Sequence, residues 1–464
     1  MTTTASTTAS TTATPDWAAL RGAVRGRLVS PDEPGWEAAR TPWLVNVPQQ
    51  PAAVLEVADV EDVVAAVRWA VAHGVPVAAQ PRGHAPRTVL DGTLLLRTGA
   101  LDEVVVDRAR ATARVGAGVQ WGTLGAALDG TGMVALAGSN PDPTVVGLLL
   151  GGGVSWFTRK HGFTANSVVS VDLVDATGTL VHVTRTSDPD LFWAVRGGGG
   201  DFGIVVAAEL ALFPASEIYG GQLMWPVEHL VPVLRAFREV TATAPDELSV
   251  WAHVLHFPPL PDFPEPLRGR SFVSVALTHL GTAAAAERLL APLRAAAPVE
   301  MDLLGPVTPG TLGDVAGEPT DPMPGLETSA LLRDLDDEAI AGLAATVSDP
   351  RTCPLTIVQI RHLGGAFAHE HPGHGATSPV TEPFQLFALG VPAVPELAEA
   401  IPHGFAALHA ALAHVEAGHR LPNFLADGDA TASAYRPEVL ERLRQIKAER
   451  DPDGVIRSNK PVLG

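Results

Sequence analysis

The chain has 464 residues, 46% of them apolar, with 32 Lys and Arg against 51 Asp and Glu and a formal net charge of −19. That length buries a core and suits two large domains or three of roughly 150 residues each. The acidic surplus excludes nucleic acid and anionic membrane surfaces as partners, and the single cysteine, Cys353, excludes internal disulfides and multi-cysteine metal sites.

Residues 2–14 are all Thr, Ala or Ser and the first basic residue is Arg21, so 1–15 reads as a disordered polar tail without a targeting signal, on a cytoplasmic protein. No apolar run reaches the roughly 18 residues of a membrane helix. Val63, Val64, Val67 and Val71 recur at helical spacing and predict a helix over 61–72, ended by His73-Gly74. A short strand over 75–79 then enters the loop 80–86. Strand-like runs follow at 94–96, 103–106 and 112–115, then a helix at 121–128 and paired strands at 168–174 and 179–183 across the turn Asp175–Gly178. A last strand, 204–212, closes this first part.

Composition then changes. Strands are predicted at 221–225, 248–256, 272–280, 355–363 and 384–389. Ala-rich helices are predicted at 282–297, 336–347 and 394–415, which together make a helix-covered antiparallel sheet. Long loops are expected over 258–266 and 305–325, and a charged helix over 437–449.

The glycine runs Gly151-Gly152-Gly153 and Gly197-Gly198-Gly199-Gly200, with Gly116 and Gly118, read either as tight turns or as a cradle of backbone N–H groups for a phosphate. A standard dinucleotide motif is excluded, because Trp121 stands where the third glycine is required. His84 leaves a strand directly after Gly83. His369, His371 and His374 fail as a zinc motif, since Pro372 blocks the helix that would hold them.

Four ordered segments resemble the berberine-bridge-enzyme-like oxidases, flavoproteins of the vanillyl-alcohol-oxidase (PCMH-type) fold. They are GSNPDPTVVGLLLGGGVSWFTRKHGFTAN at 138–166, DLFWAVRGGGGDFGI at 190–204, VQIRHLGGA at 358–366 and the closing block 435–462. The resemblance implies an α+β protein whose bipartite FAD-binding domain spans 16–214 and 416–464. Residues 215–415 would be the substrate domain, an antiparallel sheet covered by helices. It implies an FAD cradle made by Gln80, Pro81, Arg82, Gly83, His84 and Ala85, by Gly116 and Gly118, and by Gly138, Ser139, Asn140, Gly147, Gly151, Gly152 and Gly153. His161, Gly162, Asn166, Gly200, Gly203, Ile204, Val205, Asn423 and Asn459 would complete it. His84 falls on the histidine that the family joins covalently to the flavin. Asn140 replaces the cysteine of a second link, so one covalent bond is expected.

The implied activity is oxidation of a small organic, natural-product-like substrate by hydride transfer to flavin N5, with O2 as final acceptor. The alternative is a non-redox cyclisation or elimination with the flavin structural. The family's catalytic tyrosine is replaced by Leu421, two residues before Asn423. Alternation places Gln359 and Arg361 on one face of the 355–363 strand and His362 on the other. His362 is the expected base, Gln359 and Asn423 orient, and His253 and His256 are weaker alternatives. No metal site is expected.

Overall fold

The computed structural model describes residues 15–463; apart from Pro15, the polar tail predicted over 1–15 lies outside them. The chain builds three main sheets. The first has five strands in the order Arg27–Val29, Ala53–Glu56, Leu94–Arg97, Val77–Ala79 and Ile456–Arg457. Parallel pairing joins the last four, so the C-terminal segment returns to complete a sheet begun at the N-terminus. The helix Val60–His73 makes the crossover between two of these parallel strands. Asp59 caps it, its side chain accepting from the Asp62 amide.

The second sheet is antiparallel, in the order Val104–Asp107, Thr112–Gly116, Ile204–Ala211, Val168–Val174 and Leu180–Val183. The third has eight antiparallel strands, among them Ile218–Pro226, Ser271–Leu280, Leu248–His256, Ile357–His362, Phe384–Gly390 and Leu326–Leu332. Most predicted elements fall within a few residues of these spans. The predicted helix over 282–297 is instead two helices, Ala283–Leu289 and Ala291–Ala296, meeting at Leu290.

One face of the large sheet is apolar and closed. Val250, Ala252, Val254, Val358, Ile360, Leu386 and Ala388 pack beneath helices Leu230–Thr243, Asp337–Val347 and Pro395–Leu412 in one buried cluster. Each such fully buried large side chain contributes about 1.5–3 kcal/mol. The opposite face carries the alternate residues Met224, His253, Leu255, Ile357, Gln359, Arg361, Phe387 and Glu327, and it walls a cavity. Cross-strand pairs place them together: His253 lies opposite Gln359, Gln359 opposite Phe387, and Leu389 between Ile357 and Glu327.

Candidate active site

The cavity, of about 1270 Å³, runs between the large sheet and the loops of the first two sheets. Of the residues singled out from the sequence, Gln80 through Ala85, Gly138, Ser139, Asn140, Gly147, Gly151, Gly200, Gly203, Ile204, Val205, Asn423, Asn459 and Gln359 line it.

The loop 80–85 is held to its neighbour by backbone bonds from Trp43 N to Arg82 O (2.9 Å) and from Leu44 N to Gly83 O (3.2 Å). Gly83 has φ +86, and a Cβ there would fall 2.6 Å from Pro42 Cβ, so only glycine passes this point without strain. Asp142, 7% exposed, is the hub behind the loop. Arg82 Nε donates to its carboxylate at 3.1 Å, and His84 Nε2 donates at 2.7 Å. The Gln120 amide donates to it as well. Burial by itself would raise the Asp142 carboxyl, but the hydrogen bonds from His84 and Arg82 outweigh it and hold the group below the usual carboxylate value. In the neutral ring, a proton on Nε2 committed to Asp142 leaves the lone pair on Nδ1. The indole of Trp43 stacks on the imidazole, ring centres 4.4 Å apart.

This lining fits a dinucleotide such as FAD. The amides of Arg82 through Ala85 and of Gly138 through Asn140 donate to no protein acceptor among the described residues, which is the free N–H array that a diphosphate needs. Gly138 and Gly199 have no heavy atom closer than 3.7 Å to where a Cβ would stand, so side chains there would occupy the cavity and nothing else. Thr98 Oγ1, Trp121 Nε1 and Asn459 Oδ1 are buried at its wall without a protein partner among the described residues.

Several expected site residues lie elsewhere, each for a packing reason. Gly116 and Gly118 sit where backbones touch: a Cβ would fall 2.2 Å from Leu101 O or 2.4 Å from Thr98 O. Gly152 packs on Phe163 and Thr377, and Gly153, with φ +81, donates its amide to Asn423 Oδ1 at 2.7 Å. His161 packs against Phe213, and burial lowers its pKa to about 4. Gly162 ends the short helix Thr158–His161 with φ +80, and Asn166 Oδ1 accepts from Gly375 N.

The expected base is also misplaced. His362 is on the helix-covered side of its strand, where Arg159 Nη1 donates to Nε2 at 3.0 Å and burial drives its pKa to about 3. It does not reach the cavity. Asn423 does, but its amide is consumed: Oδ1 holds Gly153 N, and Nδ2 donates to Leu148 O at 3.0 Å, clamping the turn between them. Gln359 reaches the cavity with its Oε1 accepting from Arg361 Nε (3.0 Å) and Nη2 (2.7 Å).

Residues without a sequence signal complete the wall. Glu327, on the strand Leu326–Leu332, lines the cavity, and no protein donor binds its carboxylate among the described residues. Burial raises its pKa to about 7, only partly offset by Lys460. Lys460 Nζ donates to Pro422 O, and burial lowers its pKa to about 8. Neither tyrosine is placed as a base. Tyr219 donates to Glu287 Oε1 at 2.9 Å, and burial pushes its pKa up to about 12. Tyr435 donates to Gly197 O at 2.9 Å and is likewise raised by burial.

A family model described as an FAD binding domain matches residues 51–184. The (R)-6-hydroxynicotine oxidase of Paenarthrobacter nicotinovorans is 27% identical over 463 residues, covering 94% of this chain and 96% of that one. The glucooligosaccharide oxidase of Sarocladium strictum is 32% identical over 250 residues, half of each chain. Among solved structures, 6-hydroxy-D-nicotine oxidase from Arthrobacter nicotinovorans superposes with TM-score 0.81 at 25% identity, over 95% of this chain and 98% of that one. A BBE-like protein of Physcomitrella patens superposes with TM-score 0.83 at 21% identity, over 96% and 98%, a likeness of fold. Matching fold, full-length similarity and a lining suited to the dinucleotide converge: the chain carries an FAD-binding domain, is similar along its length to PCMH-type FAD oxidases, and is an FAD-dependent oxidoreductase of small organic substrates.

Proposed function

We propose that this enzyme holds FAD through one covalent bond, at His84 Nδ1, and oxidises a small substrate that rests against the open face of the large sheet, with dioxygen as final electron acceptor. Residues 16–214 and 416–464 would then hold the cofactor and 215–415 the substrate. The observation that carries the covalent assignment is the orientation of His84: Asp142 binds Nε2, which leaves Nδ1 as the nucleophile at a cavity wall. Asn140 adds no second link, since a carboxamide lacks the nucleophilic sulfur of a cysteine; its side chain donates instead to Pro319 O at 2.7 Å.

Bound there, FAD supplies a two-electron acceptor for hydride removed from the substrate. The protein's part is to position and to move a proton. Arg82 and Gln120 lock Asp142, which in turn orients the His84 ring. Glu327 replaces the absent tyrosine as proton acceptor: it lies at the cavity wall, its carboxylate is unpaired, and its pKa of about 7 suits a base at neutral pH. The ammonium of Lys460 offsets the charge of the ionised carboxylate. Gln359 and Asn423 act as positioning residues, the first for Arg361 and the second for the glycine turn. The non-redox alternative draws no support from the relatives, which are oxidases by name.

Acid precipitation followed by peptide mass mapping tests the assignment. Flavin is expected on the peptide containing His84; free FAD in the supernatant, or flavin on another peptide, overturns it.

A further inference from the structure

At the substrate-domain end of the cavity, several polar atoms of the sheet face lack partners among the described residues. Arg361 is 5% exposed and walls the cavity. Its guanidinium lies over Trp251 at 4.3 Å and near Phe424 at 5.0 Å. Nε and one N–H of Nη2 go to Gln359 Oε1, and no acceptor lies within hydrogen-bond distance of Nη1 among the described residues. Glu318, whose carboxylate accepts from Gln359 Nε2 at 3.4 Å, makes only a long ion pair with Arg361 Nη2, at 3.8 Å. Burial lowers Arg361 only to about 10, so it stays charged.

His253, 3% exposed, is diagonal to Arg361 across the strand pair and also lines the cavity. Its Nδ1 meets Ser274 Oγ at 3.3 Å and its Nε2 has no partner. Burial, reinforced by the Arg361 charge, holds its pKa at about 3, so the ring is neutral and carries one N–H. When Ser274 donates to Nδ1, that N–H is on Nε2. Opposite Arg361, Gln385 is buried with neither amide atom paired.

A buried guanidinium with an open edge is stabilised most by a planar anion that accepts two parallel N–H bonds. A second donor beside it adds an oxygen-binding direction. The surrounding wall is apolar, made by Met224, Leu255, Phe257 and Leu389. We infer that the substrate of this enzyme is a carboxylic acid with an apolar or aromatic body, its carboxylate received by Arg361 with His253 Nε2 as second donor. This rests on the FAD oxidoreductase reading of the same cavity and adds the class of compound to it.

The test uses flavin-loaded enzyme titrated with benzoate and 2-naphthoate, each against its neutral amide, benzamide and 2-naphthamide, followed by perturbation of the flavin visible spectrum. The carboxylates are expected to bind at least tenfold more tightly than the amides. Arg361→Gln should remove that preference. Glu318→Gln, a loop substitution that removes the nearest competing carboxylate, should increase it. Carboxylates that bind no better than the amides, or that do not bind, overturn the inference, as does a preference that survives in Arg361→Gln or falls in Glu318→Gln. A preparation that contains no flavin refutes the cofactor reading instead, so the two failures are distinguishable.

Discussion

The two walls of the cavity are built from different materials. The wall formed by 80–85, 138–140 and 199–203 offers backbone: free amides, glycines without a Cβ, and one buried carboxylate that fixes a histidine. The wall formed by the large sheet offers side chains: Glu327, Gln359, Arg361 and His253 on an apolar and aromatic face. A backbone wall suits a diphosphate and a flat ring, and its geometry depends on where glycine is. A side-chain wall is free to change residue by residue without disturbing the strand ladder, which suits it to choosing a substrate. On the proposed reading, cofactor identity and substrate identity would be encoded in different parts of the chain.

Substitutions on each wall sharpen that contrast. His84→Ala should have the largest effect, complete loss of acid-stable flavin, read as loss of flavin fluorescence on the denatured protein band. Retained acid-stable flavin would move the attachment elsewhere. On the opposite wall, Glu327→Gln should leave flavin bound and slow its reduction by substrate by about 10²–10⁴-fold, the usual worth of a general base. In the native enzyme the carboxylate form is the base, so anaerobic reduction should quicken as pH rises through about 7 and level off above it. That rise should vanish in the variant; a rise that persists would clear Glu327 of the role.

Asp142→Asn weakens charge-assisted bonds to Arg82 and His84 and should cost about 1.5–3 kcal/mol of stability, read by denaturant melts, together with slower flavin attachment in reconstituted apoenzyme. Gly83→Ala places a residue with a Cβ at φ +86 and should cost about 1–2 kcal/mol from backbone strain alone. His362→Phe should have the smallest effect. It removes one bond to Arg159 at a cost near 1 kcal/mol and leaves the rate of flavin reduction unchanged. A large fall in that rate would return His362 to the chemistry.

How far each wall was legible follows from the same difference. The cofactor wall is legible because glycine is a local signal: Gly83, Gly138 and Gly200 mark places where a Cβ has no room or would intrude. The same signal overreaches at Gly116, Gly118 and Gly153, since close backbone packing needs glycine as much as a ligand does. On the sheet, alternation correctly separates Gln359 and Arg361 from His362, but it does not say which side the helices cover. The intrinsic pKa of histidine favours His362 as a base, and burial beside Arg159 removes that property. Glu327 carries no sequence signal, because Leu326–Leu332 follows a Gly- and Pro-rich loop and shows no clean period-2 pattern.

Local sequence is enough for the α+β class, for the order and limits of most elements, and for the glycine and histidine positions that resemble those of FAD oxidases. These depend on local periodicity, turn chemistry and contiguous motifs. Folding sets which strand face meets the cavity, that Asp142 commits one nitrogen of His84, and that Glu327, Lys460, Arg361 and His253 share one space. Those facts depend on contacts between segments far apart in the chain, where desolvation and partner geometry, not residue type, set what each group does.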